Sequence, residues 1–254
     1  MPESKFIICL LTVLSISACD TTARTTSTTI VSSENKVLLN IAGYEFGPFV
    51  DLSGLLFTGG NLSGLDLPGI KLRHGYLPDA DLSDTDLSDA DLSDAYLVNG
   101  DLNNANLFRA YLNGANLTGA NLTGVNLNYA SANMANLTSA IMTDANMTSA
   151  DLSGANLSNA NLYRANFNGA GLMGTNLIGA NLRSANLTNA FLYNADLSNA
   201  DLQGAVLVAA DLTGANLFGA SLFGANLFGA NLSGVKLDDA DLREAIMPDG
   251  TRHN

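Results

Sequence analysis

The chain has no tryptophan, two histidines, two cysteines and five prolines in 254 residues. Each scarcity removes a class of function. His74 and His253 stand far apart in the sequence, so no pair of imidazoles offers itself for a metal or for proton transfer. Cys9 and Cys19 both fall within the first twenty residues, which leaves the rest without a thiolate nucleophile or a disulfide. No G-x-S-x-G elbow occurs among the many serines. A sequence with so few groups able to act in orienting pairs does not read as an enzyme, and it implies no cofactor. Basic residues are scarce as well: 11 Lys and Arg face 24 Asp and Glu, a net charge of −13. That balance argues against nucleic-acid binding and leaves room for a basic partner.

What the sequence has in abundance is a beat. Counting from Leu52, an apolar residue recurs at every fifth position to Met247, forty times without an insertion, and thirty-four of the forty are Leu. The exceptions are Phe57, Ala132, Met142, Met147, Phe167 and Met247. From Ala80 onward a small residue, nearly always Ala, stands two before each centre. A helix cannot use this spacing, because residues five apart drift round its axis and build no stripe. A straight strand cannot use it either, because residues five apart point to opposite sides. The beat works if three extended residues are followed by a two-residue corner that resets the phase. The small residue and the centre then both point inward, and the other three positions face water. Gly, Asn, Ser and Asp, the turn formers, fill the corners. A short period kept over most of a chain is the mark of a solenoid.

Units such as "ANLTGANLTG" from Ala115, "ANLSNANLYR" from Ala155 and "ADLTGANLFG" from Ala210 resemble the A(D/N)LXX unit of pentapeptide repeat proteins. The resemblance covers about residues 50 to 247. It implies an all-β fold, a right-handed quadrilateral parallel β-helix with four units per coil, hence about ten coils. At about 4.8 Å per rung the rod would be about 48 Å long. Stacked Leu residues fill it, each worth about 1.5 to 3 kcal/mol when buried. Ala132 is the one centre where volume is missing, and Met142 and Met147 are expected to fill the gap.

Outside the repeats the composition changes. "MPESKFIICLLTVLSISACD" places Lys5 before an apolar run from Phe6 to Ile16 and small residues before Cys19, the pattern of a secretory signal too short to span a bilayer. "ISAC" resembles the bacterial lipobox. The resemblance implies cleavage after residue 18, lipid on Cys19 and, through Asp20, retention at the inner membrane. Residues 19–36 are rich in Thr and Ser and read as a flexible tether. Residues 37–49, with apolar Leu38, Ile41, Tyr44, Phe46 and Phe49, break the beat and read as a cap on the first coil. Residues 248–254 form a C-terminal tail with a Pro-Asp-Gly turn.

Two surface features stand out. Asp79, Asp81, Asp84, Asp86, Asp89, Asp91 and Asp94 fall within one coil and make an acidic belt, with Lys71, His74 and Arg109 one rung from Asp91, Asp94 and Asp89. Several carboxylates together suggest a Ca²⁺ site, though no spacing matches a calcium loop; a solvated surface with weak pairs is the plainer reading. Phe218, Phe223 and Phe228 point outward on three successive faces, and Val206 and Val208 share a face with Phe228, a candidate surface for a protein partner or for self-association. Tyr111, Met173, Phe191 and Tyr193 line another face.

These readings together describe a non-enzymatic, membrane-tethered binding or spacer module, exported to the bacterial cell envelope and held by lipid on the periplasmic face of the inner membrane, with a protein partner of unknown identity. The alternative is an acidic DNA mimic that binds gyrase or topoisomerase, like one branch of the pentapeptide repeat family. The export signal, the unbroken repeats and the absence of a helical pattern after Met247 weigh against it. Ice binding would need a regular Thr array, and only Thr118 with Thr138 and Thr123 with Thr143 align.

Overall fold

A computed structural model describes residues 28–31, 37–41 and 43–254 of the chain. From Asp51 onward the residue before each centre forms a single parallel bridge with the residue twenty further on: Asp51 with Lys71, Leu56 with Tyr76, Asn61 with Asp81, Asp66 with Asp86. Twenty residues are four units, so each coil has four sides and every centre stacks on the centre one coil away. We number the sides face 1 to face 4, beginning from Leu52, Phe57, Leu62 and Leu67.

The corner explains the beat. In each unit the centre's carbonyl accepts a hydrogen bond from the amide three residues on, as from Ala115 to Leu112 at 3.0 Å. The second residue after the centre takes a positive φ, 68° at Gly114 and 55° at Asp84. A type II turn requires this at its third position, where Gly, Asn and Asp are tolerated best. Arg109, Tyr129, Met134, Arg164, Ala209 and Glu244 occupy the same position with φ between 55° and 63°. They are held there by coil-to-coil bonds such as Tyr129 N–H to Thr148 O at 3.1 Å.

Inside, the centres and the residues two before them are buried except in the first and last coils, where several are partly covered. Met142, Met147 and Phe167 are wholly covered. Thr85 and Thr175 replace Ala at the small position and satisfy their hydroxyls by donating to Leu62 O at 2.8 Å and Leu152 O at 3.0 Å. The expectation that the remaining three positions face water holds for one of them, the second residue after the centre. The residues on either side of the centre are mostly half-buried.

At the N-terminal end, β1 (Thr28–Val31), β2 (Val37–Ile41) and β3 (Tyr44–Phe46) form an antiparallel sheet in the order β1-β2-β3. β1 lies inside the stretch read as a flexible tether. It pairs with β2, Thr28 opposite Asn40 and Val31 opposite Val37, as its β-branched Thr-Thr-Ile-Val run favours. Phe46 is buried with its ring 5.4 Å from that of Phe57 in the first coil. Phe49, grouped with the apolar cap residues, is instead 67% exposed, and it lies over Gly69. At the other end the tail folds back, Arg252 pairing antiparallel with Ile246.

Candidate binding surfaces

The acidic belt consists of two sets of carboxylates held by different corners of the fold. Asp81, Asp86 and Asp91 precede their centres and are half-buried. Each accepts the amide hydrogen of the Ser two residues on, at 3.1, 3.0 and 3.1 Å, and the Ser83 hydroxyl donates to Asp81 at 2.6 Å. These are Asx turns, in which the side chain stands in for a backbone carbonyl. Asp79, Asp84, Asp89 and Asp94 occupy the positive-φ corner position, one on each of the four successive corners of the coil. They are exposed and point away from one another. Among the described residues no three or more Asp, Glu, His or Cys side chains converge to hold a metal ion. The Ca²⁺ reading of the belt therefore finds no geometry here.

Ion pairs cross the rungs much as the register implies, with one correction. His74 lies 3.7 Å from Asp94 and Arg109 lies 3.0 Å from Asp89. Lys71 sits in register with Asp91 but pairs with Asp51 at 3.9 Å, while Arg73 takes Asp91 at 3.6 Å. The longer guanidinium reaches diagonally from the neighbouring column and wins the carboxylate.

Asn columns replace charge elsewhere. On face 4 the Asn106 amide donates to Asp86 at 2.9 Å, Asn126 to Asn106 at 2.8 Å and Asn186 to Asn166 at 3.0 Å. Where Ser131 takes the Asn or Asp place, Asn113 reaches up from the rung below and accepts from both the Ser131 hydroxyl at 2.8 Å and the Asn133 amide at 3.0 Å. Hydrogen bonds to hydroxyl and backbone hold the carboxyls of Asp51, Asp211 and Asp249 below the usual range, through Ser53, Thr213 and Thr251. Burial pushes Asp151 up, but bonds from Ser153 and Asn133 outweigh it and the net shift is downward. The Arg243 side chain brings Asp241 down to about 2.

The aromatic residues divide between faces. Phe218, Phe223 and Phe228 are exposed on faces 2, 3 and 4, so they do not merge into one patch. Val208 lies one rung below Phe228, and Val206 is bridged to Asn226 on the same face. Phe223 carries the Arg243 guanidinium 5.8 Å from its ring centre. Two groupings were missed by sequence reasoning. Tyr76 and Tyr96 stack on face 2 with centroids 4.9 Å apart and planes 15° apart, above exposed Leu56. Phe108 and Tyr129 meet edge to face at 5.9 Å, with Arg109 6.0 Å from the Phe108 ring. The twenty-residue spacing of Tyr76 and Tyr96 was the signal for the first; Phe108 and Tyr129 are twenty-one apart and meet diagonally, which column alignment does not show.

Cys19 and the leader 1–18 lie outside the described residues, as do 20–27 and 32–36 of the segment read as a tether. Among the described residues no helix is long and apolar enough to cross a membrane.

The four-sided coil, with a filled core and one bridge per side, defines a right-handed quadrilateral β-helix. The pentapeptide repeat family model matches residues 66–104, 105–144, 140–177, 175–214 and 210–247. The chain belongs to that family. HetL, a pentapeptide repeat protein involved in heterocyst differentiation regulation in the cyanobacterium Nostoc sp. strain PCC 7120, is 40% identical, with 81% of this chain and 92% of HetL aligned at a TM-score of 0.71. A pentapeptide repeat protein of the Arabidopsis thaliana thylakoid lumen is 38% identical over 39% of this chain and 69% of its own, at a TM-score of 0.38. Among curated proteins none matches.

Proposed function

We propose that the chain is a non-enzymatic binding or spacer module of the bacterial cell envelope, tethered by lipid on Cys19 at the periplasmic face of the inner membrane. The observation that carries this reading is the order of segments: an apolar leader ending in "ISAC", a Thr/Ser-rich stretch, then a rod. A filled rod suits binding or spacing, since catalysis needs a cleft in which groups converge. HetL, similar over most of its length, is described by a regulatory role rather than a reaction.

The DNA-mimic alternative gains less support. Three of the seven belt carboxylates are tied into Asx turns, and Arg73 and Arg109 pair with Asp91 and Asp89. The charge is broken up rather than continuous along the rod. Fractionation of cells expressing the chain and its Cys19→Ala variant tests the proposal. The parent should be in the membrane fraction and the variant released into a soluble fraction. A parent found in the cytosol and protecting gyrase supercoiling would favour the mimic.

A further inference from the structure

Three sides of the last coil end in open backbone, and the fourth side shows what closes it. On face 4 the chain reverses through Pro248 to Gly250 and adds Arg252 antiparallel to Ile246. The Met247 amide donates to Thr251 O at 2.7 Å, the His253 amide to Ala245 O at 2.8 Å and the Glu244 amide to His253 O at 2.7 Å. Arg252 also pairs with Glu244 at 2.8 Å. The equivalent groups on faces 1 to 3 are Ala230 O with Leu232 N–H, Val235 O with Leu237 N–H, and Ala240 O with Leu242 N–H. Among the described residues none of these six has a hydrogen-bond partner. Beneath them Leu232, Val235, Leu237, Ala240 and Leu242 are only partly buried, whereas Leu212, Leu217 and Leu222 one coil earlier are fully covered.

We propose that this edge is a docking site for an extended, basic segment of a partner protein, added antiparallel as one more rung. The tail supplies the template for direction and bonding: each open face offers the same carbonyl and amide pair that the tail uses. A second copy stacked end to end would need the next rung on all four sides, and the tail already fills it on face 4. Charge selects the segment. Asp238 and Asp239 follow the open Leu237 and Lys236 precedes it; none of the three holds an ion pair among the described residues, so this side is net negative, while Glu244 has taken Arg252 from the tail. Strand pleating then places alternate residues of the segment over the half-covered Leu237 and its basic residues beside Asp238 and Asp239. This rests on the reading of the rod as a binding module but not on its lipid anchor.

The test uses the isotope-labelled full chain and a capped heptapeptide of alternating Val and Lys, followed by amide resonances. The expected result is saturable shifts confined to the last coil, centred on Leu237. Binding should weaken at least tenfold for the peptide N-methylated along its bonding edge and for the Asp238→Asn/Asp239→Asn variant. Absence of shifts at millimolar peptide, shifts centred on Phe218, Phe223 and Phe228, or a peptide-free dimer that protects the same amides would each overturn the proposal. None of these results depends on where the chain resides in the cell, so failure here is distinct from failure of the membrane anchor.

Discussion

Ala132 and Met142 lie half a coil apart, on opposite faces of one turn of the rod, and both are buried. The small side chain at one centre thus faces a long, adaptable thioether on the opposite side, the type of residue that can fill such a gap. Ala132→Leu alone should overpack this level and cost about 1 to 3 kcal/mol. Met142→Ala alone should leave a void and cost about 2 to 5 kcal/mol. Combined, the two should cost less than their sum by about 1 kcal/mol or more, as coupled neighbours do. Urea unfolding of the four proteins measures this, and strict additivity would refute the pairing.

The corner position predicts where glycine strengthens the rod. Ala209 has φ 55° and no aromatic or charged contact to lose, so Ala209→Gly should stabilise by about 1 kcal/mol. Ala209→Val should destabilise by more than that, since a β-branched residue is a true outlier there. Midpoints of thermal or urea unfolding that fail to rank Gly above Ala above Val would contradict the turn assignment.

Asn106 joins Asp86 below it to Asn126 above. Asn106→Asp removes the donor and sets two carboxylates one rung apart, at a cost of about 1 to 3 kcal/mol at neutral pH. Like-charge crowding raises carboxylate pKa values in the fold, so the penalty should shrink as pH falls toward 3. An equal penalty at pH 7 and pH 3.5 would show that repulsion is not the cause.

Asp51, Asp151, Asp211, Asp241 and Asp249 have carboxyls held below their ordinary value in the folded chain, Asp241 down to about 2. A lowered folded pKa contributes stability above the unfolded value of about 4, which is lost as pH falls through the folded one. The melting temperature should therefore be level from pH 7 to about 5 and decline between about 4 and 2. A melting temperature that rises on acidification would mean that carboxylate repulsion outweighs the turn bonds.

The core was the most legible part of the sequence, because a Leu and an Ala two residues apart have one solution at a five-residue period. The number of sides was not: spacing predicts a corner every five residues, and four units per coil came from the resemblance alone. The half-buried residues on either side of each centre were misjudged because inside and outside were treated as the only choices. The Asp-Leu-Ser order at Asp81, Asp86 and Asp91 already spelled an Asx turn. Lys71 and Asp91 share a column, but the reach of Arg73 is a property of side-chain length that column alignment omits. Tyr76 and Tyr96 could have been paired by the same twenty-residue count that aligned Thr118 with Thr138. The part-covered C-terminal edge was hidden, since its leucines keep the beat as faithfully as those in the middle and only the reversal of the chain after Met247 sets them apart.

The proposal of an anchored rod turns on the N-terminus. The intact mass of the chain extracted from bacterial membranes should correspond to residues 19–254 carrying a thioether-linked diacylglycerol on Cys19. A mass equal to the unprocessed chain, with Met1 or Pro2 at its start and no lipid, would contradict it.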